Sequence, residues 1–246
     1  MSKKGPNTFE KTVFLDIGNT SVKAAYKAGN SWKMLNKIRW TPIEFIDFIK
    51  SGDHNFENVI ASSVRRDHFK TIRNALPDLD MLKVGSSGIL SEKLDYNTPE
   101  TLGIDRYLGC LGAYTLDPNP VIVIDAGTAC TIDFMDAEGV YRGGLIMPGL
   151  HSIVNIFKES APELPEIEIS IPEIWPGKST QESLQWGQIG FFVEGLEGLL
   201  RKFFSEFGQI PVYITGGDAS VIAALISIDV QIDEFLVFKG IETLVI

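Results

Sequence analysis

One short pattern occurs twice in this chain, and it constrains the fold more than any other feature. In Val13-Phe-Leu-Asp16-Ile-Gly-Asn-Thr-Ser-Val-Lys23 an apolar run ends in Asp16, a polar turn of Gly18, Asn19 and Thr20 follows, and a second apolar run returns from Val22 to Tyr26. In Val121-Ile-Val-Ile-Asp125-Ala-Gly-Thr128-Ala-Cys-Thr-Ile-Asp133-Phe the same order recurs, with Asp16 matched by Asp125, Gly18 by Gly127 and Asn19 by Thr128. Each copy predicts a β-hairpin. Two copies roughly a hundred residues apart point to an internal duplication. In a duplicated fold the two turns would face each other across a cleft and clasp one nucleotide.

The first turn carries backbone N–H groups, a carboxylate, a hydroxyl and a lysine. That set suits a polyphosphate with its metal: Gly18 lets the backbone approach the anion, Lys23 neutralises it, and Asp16 can hold Mg²⁺ or one of its waters. The same residues also suit an ordinary hairpin whose Asp and Asn make turn hydrogen bonds.

The chain has 246 residues, enough for one large core or two modest ones. It is acidic, with a formal net charge of -10, and it has no dense basic run beyond the local Val64-Arg65-Arg66, so nucleic acid is not the expected partner. Lys23 and Arg106 are the candidate local cations for an anionic nucleotide. Two cysteines, Cys110 and Cys130, are too few for a disulfide scaffold or a zinc site, and each reads as a buried thiol in apolar surroundings. His54, His68 and His151 lack metal-ligand spacing. No apolar stretch is long enough to span a membrane and Met1 to Lys11 lacks a signal-peptide core, so a cytoplasmic protein is expected.

Taken in order, Met1 to Glu10 reads as a tail and Trp32 to Ile38 as a third strand. A helix follows with Thr41 as N-cap, Pro42 at its first position and Glu44 at its third. A strand at Val59–Ser63, a helix at 66–76 and a strand at 81–84 complete an α/β half. Asp105 and Arg106 lie in the first turn of a helix from Ile104 to Thr115, where an acid is favoured by the helix dipole and is also placed to take a proton from a substrate hydroxyl. Gly143 to Gly149 reads as a glycine-bracketed strand leading to a helix through Phe157. Ala161 to Pro176 reads as an extended excursion over the site or an interface, and Thr180 to Phe207 as the longest helix. Thr215-Gly216-Gly217 is a turn between strand and helix that admits a flat nucleoside, or simply a sharp βα turn. A last helix, Phe235 to Val245, is expected to pack on the second half.

The order Asp16-x-Gly-Asn-Thr-x-x-Lys23, Gly103-x-Asp-Arg106, Asp125-x-Gly-Thr128, Gly143-Gly-x-Ile-x-Pro-Gly149 and Thr215-Gly-Gly217 resembles the type III pantothenate kinase family, of the acetate and sugar kinase/actin-like superfamily. The resemblance runs from Val13 to about the C-terminus. It implies an α/β fold of two duplicated ribonuclease-H-like (actin-like ATPase) half-domains, 11–117 and 118–246, with a nucleotide cleft between them. It also implies ATP-dependent phosphorylation of pantothenate, the first step towards coenzyme A.

On this resemblance Asp16, Ile17, Gly18, Asn19, Thr20, Ser21, Val22 and Lys23 cradle the ATP phosphates, with Asp16 near Mg²⁺. Thr128 touches phosphate, and Thr215, Gly216 and Gly217 border the nucleoside. Asp105 is the general base, and Arg106 binds substrate or the moving phosphoryl group. Tyr96, Gly103, Ile104, Asp105 and Arg106 line the pantothenate pocket. Asp125 matches the ligand of a monovalent cation, K⁺ or NH₄⁺, and Thr180 matches a threonine that reaches pantothenate from the neighbouring subunit of a homodimer. Family members often carry a proline where this chain has Arg65-Arg66. Two other readings stay open: a related small-molecule kinase, and a nucleotide-binding regulator of the Bvg accessory factor type.

Overall fold

A computed structural model describes residues 9–36, 39–52 and 54–245. In order they form β1 (Thr12–Ile17), β2 (Val22–Ala28), β3 (Ser31–Met34), α1 (Pro42–Ser51), β4 (Asn58–Ser63), α2 (Arg66–Ala75), β5 (Asp80–Val84), α3 (Ile104–Tyr114), β6 (Val121–Ala126), β7 (Ala129–Met135), β8 (Tyr141–Pro148), α4 (Leu150–Val154), α5 (Phe157–Ser160), α6 (Thr180–Gln185), α7 (Phe191–Phe207), β9 (Val212–Thr215), α8 (Ala219–Leu225), β10 (Gln231–Ile232) and α9 (Leu236–Val245). The third strand stops at Met34, short of the expected Ile38, and positions 37 and 38 lie outside the described residues, as does most of the expected N-terminal tail.

The duplication is visible in the strand orders. One five-stranded sheet runs β3-β2-β1-β4-β5 and the other β8-β7-β6-β9-β10, so β6 stands where β1 stands and β9 where β4 stands. In each sheet the first strand of its half is central and pairs parallel with the fourth. The register places Asp16 beside Ser62 in one sheet and Asp125 beside Thr215 in the other, an acid next to a hydroxyl at the same point of both halves. Two mixed five-stranded sheets with helices make this an α/β fold of two units, as the sequence predicts.

The first unit comprises residues 1–119, 135–143 and 235–246. Strand β1 is buried along its whole length, as a central strand covered on both faces must be. Val13, Leu15 and Ile17 enter a core with Phe45, Ile46 and Ile49 of α1 and Phe69 and Ile72 of α2. Phe14, pointing to the other face, meets Trp32 edge-on at 4.9 Å. Helix α1 starts on the predicted Thr41/Glu44 capping box and ends at Gly52 with φ of 78°.

Helix α9 belongs to this first unit, which corrects the expectation that it packs on the second half. It crosses α3 at backbone contact: a Cβ on Gly112 would lie 1.9 Å from the Leu236 carbonyl oxygen, and one on Gly240 would lie 2.0 Å from that of Leu108. Trp32 stacks on Phe235, and Lys27 pairs with Glu242 at 2.9 Å. The two helices are counterparts, each following the fifth strand of its half.

The second unit comprises residues 120–134 and 144–234. Ile122, Ile124 and Ala126 of β6 pack with Ile189, Phe192, Leu196 and Leu200 in its core. The long helix runs from Thr180 to Phe207, as predicted, but includes a π turn over Trp186–Gly190 between α6 and α7. The predicted helix through Phe157 is instead two short pieces, α4 and α5. The excursion after α5 lays Ile167, Ile169 and Ile171 on the core at strand-like spacing and is tied down where Gln185 Nε2 donates to Ser170 Oγ at 2.8 Å.

Candidate functional site

The first turn leaves β1 at Asp16, which is 7% exposed and accepts a hydrogen bond from Ser62 Oγ at 3.2 Å. Lys23 is the direct ladder partner of Asp16, so both side chains stand on one face of the hairpin. The Gly18 N–H closes the turn on Ser21 O at 3.0 Å, and Asn19 and Thr20 are exposed at its tip. A Cβ on Gly18 would meet Ser21 O at 3.4 Å, an ordinary contact, so the turn itself does not require glycine. What glycine adds is bare backbone on the outer side, where a ligand can come close.

Beside this turn lies Arg65, which the sequence marks only as part of a basic pair and as a departure from the family pattern. Its Nη1 donates to Asn19 O at 3.2 Å, while Nε and Nη2 fork onto the Asp67 carboxylate at 2.9 and 2.6 Å. The Arg65 bond holds the exposed Asp67 carboxyl well below the usual carboxylate range.

The second cluster of the first unit is built on the start of α3. Gly103 is the N-cap, and the Asp105 carboxylate folds back so that Oδ1 accepts the Arg106 N–H at 3.0 Å. Asp105 is half-buried and Arg106 is 9% exposed, so the arginine is enclosed. Ile104 is buried in the same turn. Tyr96 covers Gly143, where a Cβ would meet its ring at 3.7 Å, and lies 6.0 Å from the Tyr141 ring. The Tyr96 loop is anchored by Asp95: its N–H donates to Tyr141 O at 2.9 Å, and its carboxylate accepts from Arg142 Nη1 at 2.8 Å. Arg142 also binds Asp136 through Nε at 2.6 Å. The positions of Arg142 and Asp136 carried no local signal of this role.

In the second unit three of the recognised motifs converge on one turn. Gly149 N–H and Ser152 Oγ both donate to Thr128 O, at 3.0 and 2.9 Å. Asp218 N–H donates to Ala126 O at 3.0 Å. A Cβ on Gly149 would lie 2.0 Å from Gly127 O, and one on Gly216, whose φ is 99°, would lie 2.3 Å from Ala126 O. The strand ending in Pro148-Gly149 and the turn Thr215-Gly216-Gly217 are therefore seated on the Asp125–Thr128 turn by backbone contact. His151 Nε2 lies 3.4 Å from Asp218 Oδ1 across the same assembly.

Asp125 is half-buried and Thr128 exposed. Cys130 is buried, and burial together with the charges of Asp125, Asp218 and Asp133 pushes its thiol up to about 12. Its surroundings are thus acidic as well as apolar, a correction to the sequence reading. Such a thiol stays protonated and is a poor nucleophile. Thr180 is exposed at the first position of α6, behind the N-cap Ser179, whose Oγ accepts the Glu182 N–H at 3.2 Å. Among the described residues no group of three or more His, Cys, Asp or Glu side chains is arranged to hold a metal, and no helix is long and apolar enough to cross a membrane.

A family profile described as type III pantothenate kinase matches residues 12–202. A type III pantothenate kinase of Chlorobaculum parvum is 35% identical over 94% of this chain and 92% of its own. One of Sulfurihydrogenibium sp. is 29% identical over 92% of this chain and 96% of its own. Among solved structures, a Campylobacter jejuni protein described as a Baf family transcriptional activator superposes with a TM-score of 0.64 at 23% identity, covering 95% of this chain and 96% of that one. At that identity the likeness concerns the fold.

Proposed function

We propose a division of labour among these residues from one premise: the chain belongs to the type III pantothenate kinase family. It is a kinase that transfers a phosphoryl group from ATP to pantothenate, in coenzyme A biosynthesis. The observation that carries this is the family match across residues 12–202, which spans the Asp16, Asp105 and Asp125 motifs.

Phosphoryl transfer asks a protein mainly for alignment and charge neutralisation. In our reading the stretch Asp16 to Lys23 cradles the ATP phosphates, Thr128 adds a hydroxyl to phosphate, and Gly216 and Gly217 border the nucleoside. Asp105 accepts the proton of the pantothenate hydroxyl as that oxygen attacks the γ-phosphorus and the bond from phosphorus to the bridging oxygen breaks, releasing ADP. Arg106 binds the substrate or the transferring group. Tyr96, Gly103 and Ile104 shape the acceptor pocket, and Thr180 reaches pantothenate from a second copy of the chain.

Mg²⁺ fits Asp16, a nearly buried carboxylate at the end of a strand, because Mg²⁺ prefers oxygen and takes only one or two carboxylates beside phosphate. A monovalent cation, K⁺ or NH₄⁺, fits Asp125, a half-buried carboxylate at the end of a strand in register with Thr215. These ions supply charge compensation for the phosphates. We also infer a homodimer, and a cytoplasmic location because the reaction consumes ATP. The halves 11–117 and 118–246 are our reading of the duplication, with α9 recruited to the first unit by packing.

The test is phosphate transfer from ATP to pantothenate, with Mg²⁺ and with potassium or sodium. Product is expected, and Asp105→Asn should cut turnover by roughly 10²–10⁴-fold with nucleotide binding kept. Full activity in that variant would remove Asp105 from its role. Product of equal yield in sodium would remove the cation role of Asp125. No product from pantothenate, but product from another alcohol, would favour a related small-molecule kinase.

A further inference from the structure

We propose that Arg65, braced by Asp67, is a positioning residue that locks the Asn19–Thr20 peptide so that its N–H, and not its carbonyl oxygen, is presented to bound phosphate. This rests on the reading of the Asp16–Lys23 turn as the phosphate cradle.

The placement begins with the sheet. Strand β4 runs parallel to β1 with Asp16 beside Ser62 and Ile17 beside Ser63, and Val64 N–H donates to Ile17 O at 3.2 Å. The residue that follows is therefore delivered to the flank of the turn. Arg65 is then fixed at both ends. Its backbone N–H donates to Ser63 Oγ at 3.1 Å and its carbonyl accepts from the same hydroxyl at 2.8 Å. Its guanidinium is forked onto Asp67, which leaves Nη1 directed at Asn19 O.

In a trans peptide the C=O and the following N–H point in opposite directions. Drawing the Asn19 carbonyl towards Arg65 turns the Thr20 N–H to the opposite side. Loss of that bond removes one tie on the exposed peptide at the turn tip, and in a rotated state a carbonyl dipole would repel the anion that the turn is built to receive. A fork of two charge-assisted bonds gives the direction that a single flexible contact would not.

Direct contact between Arg65 and phosphate is the competing role, and Asp67 separates the two. If Arg65 positions the turn, Asp67→Asn loosens the guanidinium and weakens nucleotide binding. If Arg65 touches phosphate, the same change releases a cation and tightens it. The experiment measures binding of MgATP, MgADP and adenosine to the wild type, Arg65→Ala, Arg65→Lys and Asp67→Asn, with thermal denaturation of each. Arg65→Ala and Asp67→Asn are expected to weaken MgATP and MgADP about ten-fold, the loss of one good bond to a charged group, with adenosine unchanged. Arg65→Lys, which keeps the charge and loses the fork, should fall between. Tighter MgATP binding by Asp67→Asn would overturn the positioning role. So would losses shared equally by adenosine, or lower melting temperatures with unchanged binding, since those mark a purely structural bridge. Arg65→Lys and Asp67→Asn carry the test if Arg65→Ala does not fold. Wild-type turnover on pantothenate, from the same preparation, reports on the kinase reading separately.

Discussion

At Gly103 the backbone φ is -60°, a value open to every residue, so the start of α3 does not call for glycine on conformational grounds. Space is what calls for it: a Cβ there would stand 2.6 Å from Asp105 Oδ1. Gly103→Ala should therefore displace the proposed base while leaving the fold intact. The expected result is a loss of turnover of about 10²-fold, the usual effect of a misplacement near 1 Å, with a melting temperature close to wild type. Steady-state kinetics with a thermal melt would check it, and wild-type turnover would mean that the carboxylate can turn aside at no cost. The members of the candidate site that were legible in the sequence, Asp16, Lys23, Asp105 and Asp125, sit at ends of elements that local patterns mark. Those that were not legible act at a distance. Arg65 reaches Asn19 across 46 residues and Arg142 reaches Asp95 across 47, and no local periodicity carries such a pairing.

Among the elements, the crossing of α3 and α9 is the contact that sequence reading misassigned. Helix α9 was readable as a helix, but its partner is set by Gly112 and Gly240, whose role appears only when the helices meet. Gly240→Ala gains about 1 kcal/mol in helix propensity. It should still lose stability overall, by up to about 2 kcal/mol, because the Cβ would lie 2.0 Å from the Leu108 carbonyl oxygen, a backbone atom cannot swing away, and the overpacking costs about 1–3 kcal/mol. Chemical denaturation would show it, and unchanged stability would mean that the helices part freely. Strand β10 escaped the sequence because two residues carry no period. The α7 helix has its own long-range tie. Glu197 accepts from Ser227 Oγ at 2.8 Å and from Arg201 Nη1 at 2.9 Å. Burial would raise its carboxyl, but the Ser227 N–H and hydroxyl and the Arg201 charge outweigh it and hold the group below its ordinary value. A carboxyl depressed in the folded state stabilises above the unfolded pKa of about 4.3 and loses that contribution as pH falls towards the folded value. Glu197→Gln should thus be less stable at pH 7 and lose less on acidification below about pH 5, as melts across that range would reveal. Parallel curves for the two proteins would rule the linkage out.

For the whole molecule, the open question is what meets the long helix. Among the described residues, nothing beyond their own turns of helix comes within 4 Å of a Cβ position on Gly187, Gly195 or Gly198, so these three glycines do not serve close packing there. Phe191, 69% exposed, shares a helical face with Gly195 and Gly198, at spacings of four and three. Bare backbone around an exposed aromatic ring is the kind of surface a second copy can cover, which supports the homodimer inferred above. If Thr180 acts across that interface, two separately inactive variants should rescue each other. In a mixed dimer of Asp105→Asn with Thr180→Ala, the chain that keeps Asp105 receives Thr180 from its partner, and one site is whole. Random pairing makes half the dimers mixed, each with one intact site of two, so co-expression should restore about a quarter of wild-type turnover. Light scattering of the same sample should give twice the mass of one chain. A dimer without rescue would put Thr180 to work within its own subunit, and a monomer that retains full turnover would remove the second copy from the reaction altogether.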